Sequence, residues 1–367
     1  MLRRIYIDNF RCFVNFELQF DAINLLLGAN GSGKTSVFDI LRRLQEFVSG
    51  DVRVHDVFPT TDLTRWQTGE RQRFELEITA ENDHYAYSLV INHDVERRRM
   101  RVSEERLDWN GKPLFACEEG LAQLYRDNHS LGPQYPFDWH LSAVGTLHER
   151  PDNQKLTRFK RELARLIVVR PIPLLMERES RGEKERLSHR MENFVSWYRH
   201  LAQEHMGAMV TLLGELKSVL PGFNSLSLKE SGEDTRSLKI VFAPPGGGRP
   251  LSFDFSELSD GQKMLVALYT LVFGLKDERV SLFIDEPDNF LALREIQPWL
   301  SNLHDAVGES VEQAVLISHH PEIINYLGGA HGRWLARDAQ GPVRVNAAPE
   351  SIQGLSLADT VVRGWEK

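Results

Sequence analysis

The sequence predicts an α/β fold, and three observations carry that prediction. First, the apolar run Ile23-Asn24-Leu25-Leu26-Leu27 leads into Gly28-Ala29-Asn30-Gly31-Ser32-Gly33-Lys34-Thr35, after which Ser36 to Leu44 carry apolar residues at helical spacing. Second, the buried run Val280-Ser281-Leu282-Phe283-Ile284 ends in the acids Asp285 and Glu286. Third, Ala314-Val315-Leu316-Ile317 ends in Ser318-His319-His320-Pro321. Strand, glycine-rich turn and helix, in that order, form the context a phosphate-binding loop needs. The glycines let the backbone turn several N–H groups toward one oxyanion, and the helix start adds the positive end of its dipole. In such a loop Asn30, Gly31, Ser32 and Gly33 form the cradle, Lys34 reaches the β- and γ-phosphates of a nucleotide, and the Thr35 hydroxyl holds Mg²⁺.

The composition sets outer limits. The chain has 367 residues, of which 41% are hydrophobic and 26% charged, enough for one large or two modest domains. A net charge of -8 means that any contact with DNA requires a local basic face. Cys12 and Cys117 give neither a disulfide framework nor a zinc spacing, which fits a reducing compartment. The start, Met1 to Asp8, lacks the apolar core of a signal peptide. The longest apolar run, Met264 to Leu275, is too short to span a bilayer and reads as a buried helix. A soluble cytoplasmic protein with no membrane partner is expected.

Taken in order, residues 3–20 alternate through Ile5, Ile7, Phe10, Phe13, Phe16, Leu18 and Phe20, predicting two half-buried strands joined near Asn9-Phe10-Arg11. Two readings stand for this hairpin: an edge cover for the core, or a device that brings Arg11 to the nucleotide. Phe74 to Ile78 and Tyr85 to Ile91 predict antiparallel strands around an Asn82-Asp83-His84 turn. Arg97 to Val102 is a basic strand, read as a charge-blunted edge in preference to a phosphate-backbone contact. Leu107 to Phe115 reads as one more hairpin.

Residues 154–168 carry a helical pattern through Leu156, Phe159, Leu163, Leu166 and Ile167, ended by Val168-Val169-Arg170-Pro171. A charged stretch from Glu177 to Arg190 precedes a long helical pattern, running from Leu187 to Leu216 and stopped by Pro221-Gly222. Leu238 to Phe242 and Leu251 to Phe255 predict a strand pair joined through Pro244 to Gly248. Ser259-Asp260-Gly261-Gln262-Lys263 opens the next helix. Ser259 suits its N-cap, and Gly261 admits a close phosphate. At the Asp285-Glu286 strand end, the first acid orders Mg²⁺ and the second polarises the attacking water.

The order phosphate loop, Leu258-Ser259-Asp260-Gly261-Gln262, Leu282-Phe283-Ile284-Asp285-Glu286-Pro287-Asp288 and Ile317-Ser318-His319-His320 resembles the ABC-type ATPase heads. With the opening Ile7-Asp8-Asn9-Phe10-Arg11-Cys12-Phe13 it resembles their SMC/RecF-like branch, often described simply as AAA-family ATPases. The resemblance covers residues 3 to about 330. It implies a P-loop ATPase head of the ABC type, with Gly28–Thr35 as Walker A and Ser259 and Gly261 in the signature motif. Asp285 and Glu286 are then the Walker B pair, with Asp285 and Thr35 on Mg²⁺; Asp288 opens the D-loop, and His319 is the switch histidine. Asp260 stands where many members have a second glycine. The Q-loop glutamine finds no convincing place, Gln134 and Gln154 lying only in the right broad region.

The expected organisation is a strand-rich N-terminal lobe over residues 1–170, a short helical insertion with a strand pair over 171–250, and a C-terminal α/β lobe over 251–367. The long coiled-coil arms of the SMC members are missing. What the resemblance implies is therefore a compact ATP-hydrolysing head that dimerises face to tail on ATP. It regulates a DNA-linked process, phage defence first among the options, through an effector protein such as a nuclease. DNA itself is an optional partner. The alternatives are the nucleotide-binding engine of a membrane transporter and a DNA-repair mediator that binds DNA directly.

Overall fold

The computed structural model describes residues 1–367 except Asp51, Pro245, Gly247, Asp277, 338–340, 347–355 and 363–367. Along the chain run β1 (Leu2–Asp8), β2 (Phe16–Gln19), β3 (Ile23–Leu27), α1 (Lys34–Val48) and α2 (Val54–Val57). Next come β4 (Arg71–Ala80), β5 (Asp83–Asp94), β6 (Arg99–Trp109), β7 (Lys112–Glu118), β8 (Leu121–Tyr125), β9 (Leu131–Pro136), α3 (Ala143–Thr146) and α4 (Gln154–Ala164). They are followed by β10 (Leu166–Val169), β11 (Glu179–Ser180), α5 (Phe194–Glu204), α6 (Met206–Val219), β12 (Phe223–Gly232), β13 (Thr235–Phe242) and β14 (Leu251–Asp254). The chain closes with α7 (Asp260–Phe273), β15 (Val280–Asp285), α8 (Leu293–Ala306), β16 (Val311–Ile317), α9 (Pro321–His331), β17 (Gly332–Arg337), β18 (Val343–Asn346) and α10 (Leu357–Val362).

Two compact units form. The first comprises Met1–Asp21, Leu26–Leu166 and Gly332–Pro349; the second comprises Ala22–Leu25, Ile167–His331 and Glu350–Lys367. The first is built on an eight-stranded sheet in the order β2-β1-β4-β5-β6-β7-β8-β9. Alternation decides which face is buried: Gln72, Phe74, Leu76, Ile78 and Ala80 of β4 point inward while Arg71 and Arg73 face solvent. Ile5 and Ile7 of β1 sit opposite Leu76 and Phe74. An aromatic chain joins α1 to this sheet, Phe47 meeting Phe58 at 5.8 Å and Phe58 stacking on Phe74 at 5.1 Å. Burying each such ring stabilises by about 1.5–3 kcal/mol.

The strand-rich first half matches the expectation, with corrections in detail. The basic stretch Arg99 to Val102 does form an edge: it pairs β5 opposite Asp94 to Ile91, while β7 pairs β6 only from Glu104 onward, and Arg99 and Arg101 are exposed there; the same strand then continues to Trp109 between β5 and β7. A register shift opposite Val90 and Ile91 lets both Val102 and Ser103 turn inward. Beyond it the inward Glu105 carboxylate accepts from Tyr87 Oη at 2.8 Å, Ser142 Oγ at 2.6 Å and the Ala143 N–H at 2.7 Å. The Asn110-Gly111 turn, with both φ values positive, closes the hairpin to β7. The turn after β4 falls one residue early, at Glu81-Asn82. Strands β8 and β9 extend the sheet beyond what the alternation foretold.

In the second unit β10, β15, β16 and β3 are successive neighbours in a sheet, β15 pairing β16 in parallel. Every residue of β15 is buried, as a continuous apolar run requires. Here Leu166 and Ile167 are corrected from helix to strand, α4 ending at Ala164. The long helical pattern is corrected too. It begins at Phe194, not Leu187, and breaks at His205, whose φ of -123° and ψ of 51° separate α5 from α6. Strand β12, unforeseen, pairs β13, with β14 on the other side and β11 next to β13. The expected Pro244–Gly248 loop includes Pro245 and Gly247, which lie outside the described residues.

Candidate nucleotide site

In the first unit the glycine-rich turn follows β3 and its backbone takes conformations only glycine adopts at low cost. Gly28, Gly31 and Gly33 have φ of 139°, 81° and 89°. A Cβ on Gly28 would lie 2.1 Å from the Leu335 carbonyl oxygen, and one on Gly33 would lie 2.8 Å from Cys12 Sγ. Gly28→Ala therefore meets both a forbidden backbone region and a fixed carbonyl. It is expected to destabilise by roughly 2–4 kcal/mol, read as a lower urea midpoint with unchanged m; an unmoved midpoint refutes the close-approach argument.

Helix α1 begins at Lys34 with Gly33 as a left-handed N-cap. No side chain caps it and no acid stands in its first turn. The leading N–H groups and the positive end of the dipole favour an anion at this start. Lys34 is 6% exposed, and its Nζ donates to the carbonyls of Gly28 at 2.7 Å and Ala29 at 3.1 Å. The ammonium is folded into the loop whose ligand it is expected to meet. The Ser32 hydroxyl is buried in the same turn with no hydrogen-bond partner, while Asn30, Gly31 and Thr35 are exposed.

Arg11 lies in the turn after β1 at a φ of 46°. Its guanidinium is engaged by Asp62 at 2.9 Å and Asp39 at 3.0 Å, and it covers the Phe10 ring. Arg43 bonds the same two acids. Burial works against ionisation of Asp39, but the Arg43, Arg42 and Arg11 charges outweigh it and hold the carboxyl below its usual range. Asp39 and Asp62 thus tie the Arg11 turn to the outer face of α1.

The second unit carries the remaining residues. Ser259 caps α7 in a capping box: its Oγ accepts from the Gln262 N–H at 3.3 Å, and Gln262 Oε1 accepts from the Ser259 N–H at 3.1 Å. Ser259 itself remains exposed. A Cβ on Gly261 would meet the Phe290 carbonyl oxygen at 2.8 Å, so this glycine lets the segment after Asp288 pack on the helix start. Asp285 ends β15 at 1% exposure, opposite Ile317 of β16. Glu286 adopts a left-handed φ of 55° and donates its N–H to the Ile317 carbonyl at 2.8 Å. One Asp288 carboxylate oxygen is buried with no hydrogen-bond partner. His319 is exposed, whereas His320 Nδ1 accepts the Glu322 N–H at 3.2 Å and so caps the start of α9.

Sequence reasoning missed Arg170. It follows β10, the sheet neighbour of β15, and its Nη2 donates to Glu286 Oε2 at 2.5 Å. The signal was present: Leu166-Ile167-Val168-Val169-Arg170 is an apolar run ending in a charge, like the run ending in Asp285-Glu286. Assigning Leu166 and Ile167 to the preceding helix hid it. Of the two glutamines weighed for the Q-loop, Gln134 lies in β9 and Gln154 opens α4, its N–H donating to Asp127.

The family model described as "AAA domain, putative AbiEii toxin, Type IV TA system" matches residues 23–325. The chain belongs to this family. The matched span of the AAA-family chain runs from β3 into α9 and contains both the glycine-rich turn and the Asp285-Glu286 strand end. Among solved structures the AAA-family chain is similar to the SMC head bound to the C-winged helix domain of ScpA. The TM-score is 0.56 at 14% identity, over 94% of this chain and 97% of that one. It also matches the SMC head domain from Thermotoga maritima, with a TM-score of 0.48 at 14% identity over 96% and 99% of the two chains. No curated protein matches it. The AAA-family chain thus has the mixed α/β fold of an SMC-like ATPase head, as the ordered motifs implied.

Proposed function

We propose that the chain binds and hydrolyses Mg-ATP and that two copies associate face to tail over the nucleotide. The observation that carries this reading is the α1 start. An uncapped, acid-free helix N-terminus follows three positive-φ glycines, and the lysine of that turn donates to the Gly28 and Ala29 carbonyls. The orphaned Ser32 hydroxyl fits a phosphate oxygen beside it. Asn30 to Gly33 cradle the phosphates, Lys34 pairs with them, and the hydroxyl of Thr35 and carboxylate of Asp285 are the hard oxygen donors Mg²⁺ takes. When bound, the metal neutralises charge developing on the β- and γ-phosphates. Glu286 takes a proton from the attacking water, and His319 senses the γ-phosphate.

Ser259 and Gly261 of one copy cover the nucleotide held by the other, with Asp288 in the same contact. Ser259→Arg is expected to leave ATP binding by a single copy intact and to abolish ATP-driven association, measured by light scattering with Glu286→Gln as the trapping background. ATP-driven association retained in Ser259→Arg refutes the face-to-tail arrangement. Arg11, engaged by Asp39 and Asp62, acts on the nucleotide only if it leaves those acids.

The output is proposed to be protein-mediated, in a cytoplasmic defence or other DNA-linked process. The family's description names a toxin of a toxin–antitoxin system, and the similar SMC head is bound to a winged helix domain. Both support an effector partner. Helix α6 offers it Met206 at 65% and Val210 at 66% exposure. Among the described residues no helix is long and apolar enough to cross a membrane.

A further inference from the structure

The geometry points to Arg170 as the positioning residue of Glu286. The inference rests on the hydrolytic reading above. The two residues meet across neighbouring strand ends, Arg170 just after β10 and Glu286 just after β15. Arg170 is itself fixed: its N–H donates to the His189 carbonyl at 2.7 Å, and two residues on Ile172 donates to the Arg190 carbonyl at 3.2 Å. The arginine thus stands on a backbone bracketed by the 189–190 segment.

On the carboxylate the contacts fall unequally on the two oxygens. Oε2 accepts from Arg170 Nη2 at 2.5 Å and from Asn289 Nδ2 at 3.0 Å, whereas Oε1 accepts no hydrogen bond from any described residue. With φ at 55° and the N–H tied to Ile317, the Glu286 backbone is held as well. One oxygen is therefore anchored by two donors and the other is presented. A base that must face one water needs that asymmetry, because a freely rotating carboxylate spends little time aligned. In the step served, Glu286 Oε1 takes a proton from water, the water oxygen bonds to the γ-phosphorus, and the bond from that phosphorus to the β–γ bridging oxygen breaks. ADP and phosphate leave.

The test uses the full chain with ATP and Mg²⁺, comparing wild type, Arg170→Ala, Arg170→Lys, Glu286→Gln and the double variant Arg170→Ala with Glu286→Gln. Arg170→Ala is expected to lower kcat on the order of tenfold to a hundredfold with KM for ATP nearly unchanged. Arg170→Lys recovers part of the lost kcat. In the Glu286→Gln background the same change costs nothing further, because the group it positions is already gone. An equal loss in both backgrounds, or a loss carried by KM with kcat unchanged, assigns Arg170 to the fold alone and overturns the proposal. Wild-type chain that neither binds ATP in calorimetry nor turns it over overturns the hydrolytic reading first, and this inference with it.

Discussion

Lys34→Ala is expected to abolish ATP binding, with no heat detectable in calorimetry at nucleotide concentrations that saturate the wild type. Lys34 is the cation that the glycine turn encloses, and its ammonium donates to the Gly28 and Ala29 carbonyls. A triphosphate offers the same donors charged oxygens, and such charge-assisted bonds are roughly twice as strong as neutral ones. Alanine removes the charge facing two phosphates and leaves the Gly28 and Ala29 carbonyls without this donor. A buried acceptor left unsatisfied costs about 1–3 kcal/mol, so some loss of stability accompanies the loss of binding. Circular dichroism at the binding temperature separates the two, since a folded variant that binds nothing reports on the charge itself. Binding at wild-type affinity rejects the phosphate-loop assignment.

What was legible in the sequence was local. The turn from Gly28 to Thr35 is recognisable because a tight positive-φ backbone can be built by few residue types, and they stand side by side. The same holds for Asp285 and Glu286 at the end of an apolar run, and for Ser259 with Gln262, whose reciprocal capping bonds span three residues. What failed was set by partners distant in sequence. Leu166 and Ile167 continue the spacing of α4, and only a place beside β15 makes them strand. Helix α4 ends on Arg165 in a right-handed conformation, with no glycine to mark the stop. Strand β12 was missed because the half from Lys229 onward is exposed and polar. That β6 continues from its basic edge to Trp109 between β5 and β7 was hidden, because alternation places side chains on a face without saying how many strands flank it. Arg170 fell with Leu166 and Ile167, since its role depends on which strand its own strand adjoins.

Glu286→Gln is expected to keep ATP and Mg²⁺ binding and to slow hydrolysis by a factor on the order of a hundred or more, the range that removal of a positioned base produces. A hundredfold loss corresponds to about 2.7 kcal/mol of barrier. Glutamine keeps the length of the side chain, and its carbonyl oxygen still accepts from Arg170 and Asn289, so the substitution is nearly silent in shape. It is nearly silent in stability as well. Glu286 and Arg170 are 29% and 42% exposed, and pairs at such positions contribute about 0–1 kcal/mol. Thermal unfolding should accordingly move little while turnover collapses. That separation is the diagnostic part of the experiment, because a variant that merely loosens the end of β15 loses both. The ATP complex of Glu286→Gln should also persist, giving a lasting dimer where the wild type cycles. Turnover within threefold of wild type at unchanged stability places the base elsewhere. His319 would be the first residue to replace next, being exposed at the neighbouring strand end while His320 is spent on capping α9.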